Sequence, residues 1–304
     1  GADKLFGDSG HDTLVGGAGD DVLDGGKHND TLIGGEGEDT LIGGSGRDYL
    51  DGGEGSDTYQ VSGNDGQFDT FADTGTSGTD TLQNTGDSDL ILNGFSADNG
   101  IDVIDGNGQA IRGDNKGNDL DFSNTELHDV AGIRGGSGND TIIGSQGDDV
   151  ITGDSGHDTL VGGAGDDVLD GGKHNDTLIG GEGDDTLIGG SGRDTFVFDQ
   201  NFGDDVIADF EAGRDKIDLS DLGIDGFEAL MLNAHADGEN TVIKTDHGSV
   251  TLNNVSLDDL SAGDFVFNHD PAPTDGVTDA PMDLDGGNGD DTLVGGSGND
   301  TLDG

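Results

Sequence analysis

From Gly135 to Val197 the chain divides without remainder into seven nine-residue units: GGSGNDTII, GSQGDDVIT, GDSGHDTLV, GGAGDDVLD, GGKHNDTLI, GGEGDDTLI and GGSGRDTFV. The same unit fills Gly7 to Gln60 six times and returns twice between Gly286 and Asp303, giving fifteen copies. Every copy has Gly first, Asp sixth and an apolar or aromatic residue eighth. Glycines at the first, second and fourth places allow positive φ and close backbone approach, as a tight turn needs. Positions seven to nine read polar or β-branched, apolar, then variable, which suits a very short strand with one inward side chain. A six-residue turn and a three-residue strand make half a coil. Two units then complete a flattened, right-handed coil of eighteen residues. Leu160 stacks on Leu178 in one sheet and Leu169 on Leu187 in the other, with coils about 4.8 Å apart. The expected fold class is all-β, a parallel β-solenoid closed by a small β cap.

At that spacing the sixth-position aspartates form columns, Asp158, Asp176 and Asp194 on one edge and Asp149, Asp167 and Asp185 on the other. Bare carboxylates roughly 5 Å apart repel one another and oppose folding. Calcium resolves the conflict, because it accepts six to eight hard oxygen ligands at flexible geometry, whereas magnesium demands a strict octahedron and keeps its waters. A merely solvated acidic loop predicts no preference between Asp and Glu. The sixth place holds fifteen Asp and no Glu, although Glu36, Glu38 and Glu54 lie nearby. The expected metal ligands are therefore Asp12, Asp21, Asp30, Asp39, Asp48, Asp57, Asp140, Asp149, Asp158, Asp167, Asp176, Asp185, Asp194, Asp291 and Asp300. Carbonyl oxygens of turn glycines such as Gly17, Gly19, Gly35, Gly37, Gly136, Gly138, Gly163, Gly165, Gly181 and Gly183 complete the set.

The units GGAGDDVLD and GGSGNDTLD resemble the GGxGxDxUx nonapeptide of RTX (repeats-in-toxin) proteins. The resemblance implies a parallel β-roll, calcium held between a turn and the turn one coil on, and export through type I secretion machinery. It covers 135 of the 304 residues. Similar repeats occur in serralysin-like proteases, RTX lipases, mannuronan epimerase modules, adhesins and surface-layer proteins.

Composition agrees with a chain that folds only with its metal. It has 62 Gly, 29% hydrophobic residues, no Trp and a net charge of −55, so it has little to bury and repels itself. One Ca2+ per turn over about fifteen turns brings the charge to about −25 and makes binding free energy into folding free energy. Eleven scattered Lys and Arg form no phosphate-neutralising face, which excludes nucleic acid and anionic membranes as partners. No apolar run approaches the eighteen residues that membrane insertion needs. The absence of cysteine suits an exported protein stabilised by metal rather than disulfides. No cleavable signal opens the chain, which starts inside a repeat and stops on the first residue of another, as a piece of a longer protein does.

The expected organisation is a first roll block at 1–60, an irregular parallel β-helix connecting segment at 61–134, a second block at 135–197, a β-rich cap at 198–268, a Pro/Asp linker at 269–285 and the start of a further block at 286–304. In 61–134 the register fails, but apolar pulses such as DTLQN, GIDVIDG and NDLDF persist. A separate globular domain is the competing reading there; low aromatic content and the lack of helical periodicity count against it. The segment FDQNFGDDVIADFEAGRDKIDLSDLG resembles the VIxDFxxGxDxIDLS cap of RTX rolls, and LSAGDFVFN more weakly resembles RTX export signals. Strands are expected at Asp205–Phe210, Lys216–Leu219, Thr241–Thr245, Ser249–Val255 and Asp264–Phe267, around Phe196, Phe198, Phe202, Phe210 and Phe227.

Catalytic motifs are missing. No His precedes Glu as HExxH requires, and GGSGR and GGSGN lack the final Gly of GxSxG. His28 and His174 occupy the fourth place, where a left-handed backbone suits His better than most residues. Each lies seventeen residues from His11 or His157, so a zinc or pH-sensitive pair competes with simple turn substitution. Residues 7–48 and 153–194 differ only at Glu38 against Asp184, so duplication explains the recurrence. Arg47, Arg193, Lys27 and Lys173 read as local relief against neighbouring Asp. Two function classes follow. One is a non-enzymatic, calcium-binding folding and secretion scaffold, extracellular or at the cell surface. The other is a surface or polysaccharide binding module, with the noncatalytic tail of a secreted hydrolase a further possibility and side-by-side assembly of chains left open.

Overall fold

The computed structural model of the chain describes residues 1–63, 65–267, 283–285 and 301–303. Residues 1–268 form one compact unit and 269–304 a second. The first unit is a stack of parallel strands built by the eighteen-residue coil. In its first block successive strands alternate between two sheets, Lys4–Phe6, Val22–Lys27, Thr40–Ser45 and Thr58–Val61 in one, Thr13–Ala18, Thr31–Glu36, Tyr49–Glu54 and Thr70–Ala72 in the other. Thr13 pairs with Thr31 and Leu14 with Leu32, eighteen residues on.

The eighth-position side chains form continuous interior ladders. One runs Leu5, Leu23, Leu41, Tyr59, Leu82, Ile104, Leu127. In the second block Ile142, Leu160, Leu178, Phe196 and Ile217 stack in one sheet and Ile151, Leu169, Leu187, Ile207 and Leu252 in the other. Nearly all are completely buried. Because each residue stacks on its own equivalent, an identical repeat makes a packed core without long-range design.

The strands are longer than the repeat predicts. Most of those in the first block run six residues, as in Thr31–Glu36, through the two glycines that open the next unit. Gly17 pairs with Gly35, and a Cβ on Gly35 would strike the Gly17 carbonyl oxygen. The bare α-carbon therefore lets two chains approach closely enough for the ladder to run on into the turn.

Between the blocks each coil visits three sheets. Thr81–Asn84, Leu90–Ile91 and Gly94–Phe95 precede Val103–Asp105, which returns over the first of them. The register offset widens from 18 to 22 or 23 residues on that sheet. At the far end Gly203–Ile207 pairs in parallel with Gly248–Leu252, which continues antiparallel into Asn240–Lys244 and Ala234–Asp237. Two elements there escape the sequence reading. The helix Phe227–Met231 is too short to show a period, and Ala234–Asp237 is a mostly exposed edge strand whose alternation rests on two small alanines. In the second unit Asp283–Asp285 and Thr301–Asp303 pair in parallel.

Candidate metal centre

Each turn places its sixth-position aspartate at the foot of a strand, pointing inward although ionisable. Asp21, Asp39, Asp57, Asp158, Asp176 and Asp194 are all 1 or 2% exposed. The two carboxylate oxygens have different environments. Oδ1 accepts the backbone N–H of the aspartate one coil back: Asp21 donates to Asp39 at 2.7 Å, Asp30 to Asp48 at 2.7 Å, Asp140 to Asp158 at 2.8 Å and Asp167 to Asp185 at 2.8 Å. Oδ2 is buried and has no hydrogen-bond partner in Asp12, Asp21, Asp30, Asp39, Asp48, Asp57, Asp140, Asp158, Asp167, Asp176 and Asp185. It lies against the first glycine of its own unit. A Cβ on Gly16 would sit 2.5 Å from Asp21 Oδ2 and 2.8 Å from the Gly34 carbonyl oxygen.

This separates the glycine positions that the sequence groups together. Positive φ belongs to the second place, as at Gly17 (103°), Gly35 (122°), Gly136 (102°), Gly163 (119°) and Gly181 (111°), and to several fourth places, among them Gly19, Gly37, Gly138, Gly165 and Gly183. The first-place glycines have ordinary φ and are required for space. Asp8 and Asp154 take the left-handed second place at 63° and 70°. His28 and His174 take the fourth at 76° and 78°.

The glycine carbonyls expected as ligands point along the stack. Those of Gly17, Gly19, Gly35, Gly37, Gly138, Gly163, Gly165 and Gly183 face the α-carbon of a glycine in the next coil. Gly136 pairs in register with Asp154, and Gly181 with Gly163. Asp291 and Asp300 lie outside the described residues. Asp149 stays in the column, its N–H donating to Asp167 at 2.8 Å, but its Oδ2 has partners: it accepts the Ser145 N–H at 2.6 Å and the Ser145 hydroxyl at 2.9 Å, because this unit has Ser in the second place.

Sequence reasoning missed members that lie outside the nonapeptides. Asp48 N–H donates to Asp69, Asp57 to Asp80 and Asp80 to Asp102; farther along, Asn118 donates to Asp140, Asp185 to Asp205 and Asp194 to Asp215. Asp205 Oδ2 is likewise buried and unpartnered. The signal was present as a tripeptide. Asp69-Thr-Phe, Asp80-Thr-Leu, Asp102-Val-Ile, Asp205-Val-Ile and Asp215-Lys-Ile each put Asp two residues before an inward apolar side chain.

Burial pushes these carboxyls up. Asp57, Asp158 and Asp194 rise to about 6, and Asp167 and Asp176 to about 7. Asp69 and Asp80 reach about 7 and Asp205 about 8 by the same cause. The amide hydrogen bond to each opposes the rise and neighbouring carboxylates add to it. Arg214 pulls Asp194 down and His157 does the same for Asp158 and Asp176, but among the described residues no Lys or Arg forms an ion pair with a column aspartate. Among the described residues the ion pairs are Lys116–Asp114, His128–Glu126 and Arg214–Glu211. The expected relief by Arg47, Arg193, Lys27 and Lys173 is thus corrected: none of them pairs with Asp, and the Arg47 guanidinium lies 5.2 Å over the Phe68 ring. The long side chains sit on exposed turns while the carboxylates face inward. His11 and His28 bring their rings to 5.9 Å, and His157 and His174 to 5.8 Å, without a third ligating group among the described residues.

Buried carboxylates, most with one unpartnered oxygen, repeated coil after coil and without an ion pair among the described residues, are a donor set for hard cations. The family model for RTX calcium-binding nonapeptide repeats (four copies) matches residues 1–32, 24–59, 134–169, 161–196 and 283–304. No curated protein matches the chain. Among solved structures, the extracellular lipase LipA from Serratia marcescens is 24% identical over 85% of this chain and 40% of its own, with a TM-score of 0.36. The AlgE6R3 subunit of the Azotobacter vinelandii mannuronan C5-epimerase is 32% identical over 51% and 92%, with a TM-score of 0.26. The AlgE6R2 subunit is 30% identical over 44% and 95%, with a TM-score of 0.29. The chain thus spans less than half of the lipase. By that family model, the stretches 1–59, 134–196 and 283–304 of this chain are RTX calcium-binding nonapeptide repeats.

Proposed function

We propose that this calcium-binding repeat module is a folding switch for an exported protein, extended at low cytosolic calcium and coiled outside the cell. The observation that carries the reading is the set of buried Asp Oδ2 atoms without partners. Leaving such an atom buried and charged is costly. In this reading Asp12, Asp21, Asp30, Asp39, Asp48, Asp57, Asp140, Asp158, Asp167, Asp176 and Asp185 hold ions through Oδ2 together with carbonyl oxygens of the turn glycines. Bound calcium supplies positive charge and a flexible oxygen coordination shell. The chain's own residues do the rest: Oδ1 fixes the spacing of successive coils through the amide of the coil before, and first-place glycine leaves the space the carboxylate occupies. Site affinities of about 10⁻⁴ to 10⁻³ M suit extracellular calcium. A chain still uncoiled in the cytosol suits passage through type I secretion machinery.

A polysaccharide or cell-surface role has less support. The exposed rings Phe6, Tyr49 and Phe68 are scattered, and Phe68 lies beneath Arg47. Circular dichroism of the chain during a calcium titration, with magnesium as control, tests the switch. A cooperative gain of β signal in calcium alone is expected. A chain fully folded in chelator, or folding equally in magnesium, overturns the reading.

A further inference from the structure

Where the nine-residue register stops, three carboxylates converge. Asp57, Asp73 and Asp80 each offer an oxygen within 4.8 Å of the others, and only Asp57 belongs to a nonapeptide. Asp57 is 1% exposed and Asp80 3%. Asp57 Oδ1 takes the Asp39 N–H at 2.7 Å, while its Oδ2 is buried and unpartnered. The Gly53 and Gly75 N–H groups hold Asp73 by donating to its Oδ1 at 3.1 Å, and the Asp57 N–H holds Asp80 at 2.8 Å. These bonds fix all three groups from the backbone. None of the ion pairs among the described residues involves them.

We propose that Asp73 joins the column members Asp57 and Asp80 in a three-carboxylate site for a hard divalent ion of calcium's size, at the seam between the first repeat block and the three-sheet coils. The proposal deepens the reading above and rests on it for the choice of ion. Calcium–oxygen distances of 2.3–2.6 Å let one ion bridge oxygens up to about 5 Å apart, so three oxygens this close share it without rearrangement. Three converging carboxylates also attract a cation more strongly than the single carboxylate of an ordinary turn. The seam therefore fills before the turns and ties residues 73–80 onto the roll.

Tyr59 supplies a reporter. Its hydroxyl donates to the Ala72 carbonyl at 2.6 Å, and a Cβ on Gly52 would meet both that hydroxyl and Asp57 Oδ2. The chain has two tyrosines and no tryptophan. In the full chain carrying Tyr49→Phe, terbium(III), a calcium-sized probe, bound at the seam is excited through Tyr59 alone. The expected result is sensitised emission at low terbium, displaced by calcium. Asp73→Asn keeps an oxygen for the two amides but removes one ligand charge, and is expected to raise the terbium midpoint about tenfold, equivalent to about 1.4 kcal/mol. Asp73→Asn/Asp80→Asn abolishes the early phase, while the calcium response in circular dichroism persists. Tyr59 emission absent from the parent, or a midpoint unchanged in Asp73→Asn, overturns the site. Failure of the broader reading shows itself separately, as a parent whose circular dichroism ignores calcium.

Discussion

Glycine answers two different demands within one nonapeptide. In the second place it supplies a backbone angle, and in the first it leaves room for the carboxylate five residues on. Gly16→Ala keeps an allowed φ but drives a methyl to 2.5 Å from Asp21 Oδ2. It should cost about 1–3 kcal/mol as overpacking and move the calcium midpoint upward, read by circular dichroism. The same crowding explains why the sixth place excludes Glu. With Oδ1 held to an amide at 2.7 Å and Oδ2 against a glycine, an extra methylene has nowhere to go. The raised carboxyls set a pH dependence. Their folded values, about 6 to 8, exceed the ordinary value near 4. The metal-free fold is therefore most stable below the ordinary value and loses stability as pH rises through the folded values. Acidifying the chain in chelator from pH 8 to 5 should raise its β signal. In calcium the same acidification should raise the calcium midpoint, since protons compete for the ligands.

At the scale of the element, the strand is held from inside by one residue and from its ends by its neighbours. Leu32 is fully buried between Leu14 and Leu50, whereas Leu14, 6% exposed, pairs with Leu32 alone in that ladder. Leu32→Ala should cost about 2–5 kcal/mol and Leu14→Ala less, a difference readable as unequal shifts of the thermal midpoint in saturating calcium. The six-residue strands show why the repeat was legible as a unit but not in its boundaries. Apolar periodicity marks where a side chain points inward. The ladder's extension through Gly16 and Gly17 depends on an approach between coils that no single unit contains.

At the scale of the whole molecule, the proposed switch rests on charge. At −55 and without metal the chain should behave as a self-repelling polymer, with a radius of gyration of about 60 Å from the scaling of unfolded chains. X-ray scattering in chelator and then in calcium should record a contraction well below that value. A radius unchanged by calcium would contradict the coupling of metal to fold.

The sequence by itself determined the period, the inward residue of each unit and the presence of an aspartate in every turn. All three recur within nine residues, and stacking equivalents on equivalents adds no choice. Only the tertiary structure decided that the carboxylate's two oxygens differ, one committed to the coil before and one left without a partner. It also decided that Asp69, Asp80, Asp102, Asp205 and Asp215 join the same columns across separations of 20 to 23 residues. Loops of unequal length hide those equivalences from any fixed repeat. The hydrogen-bonded rise from coil to coil restores them, because a parallel ladder aligns backbones whatever the length of chain looped between.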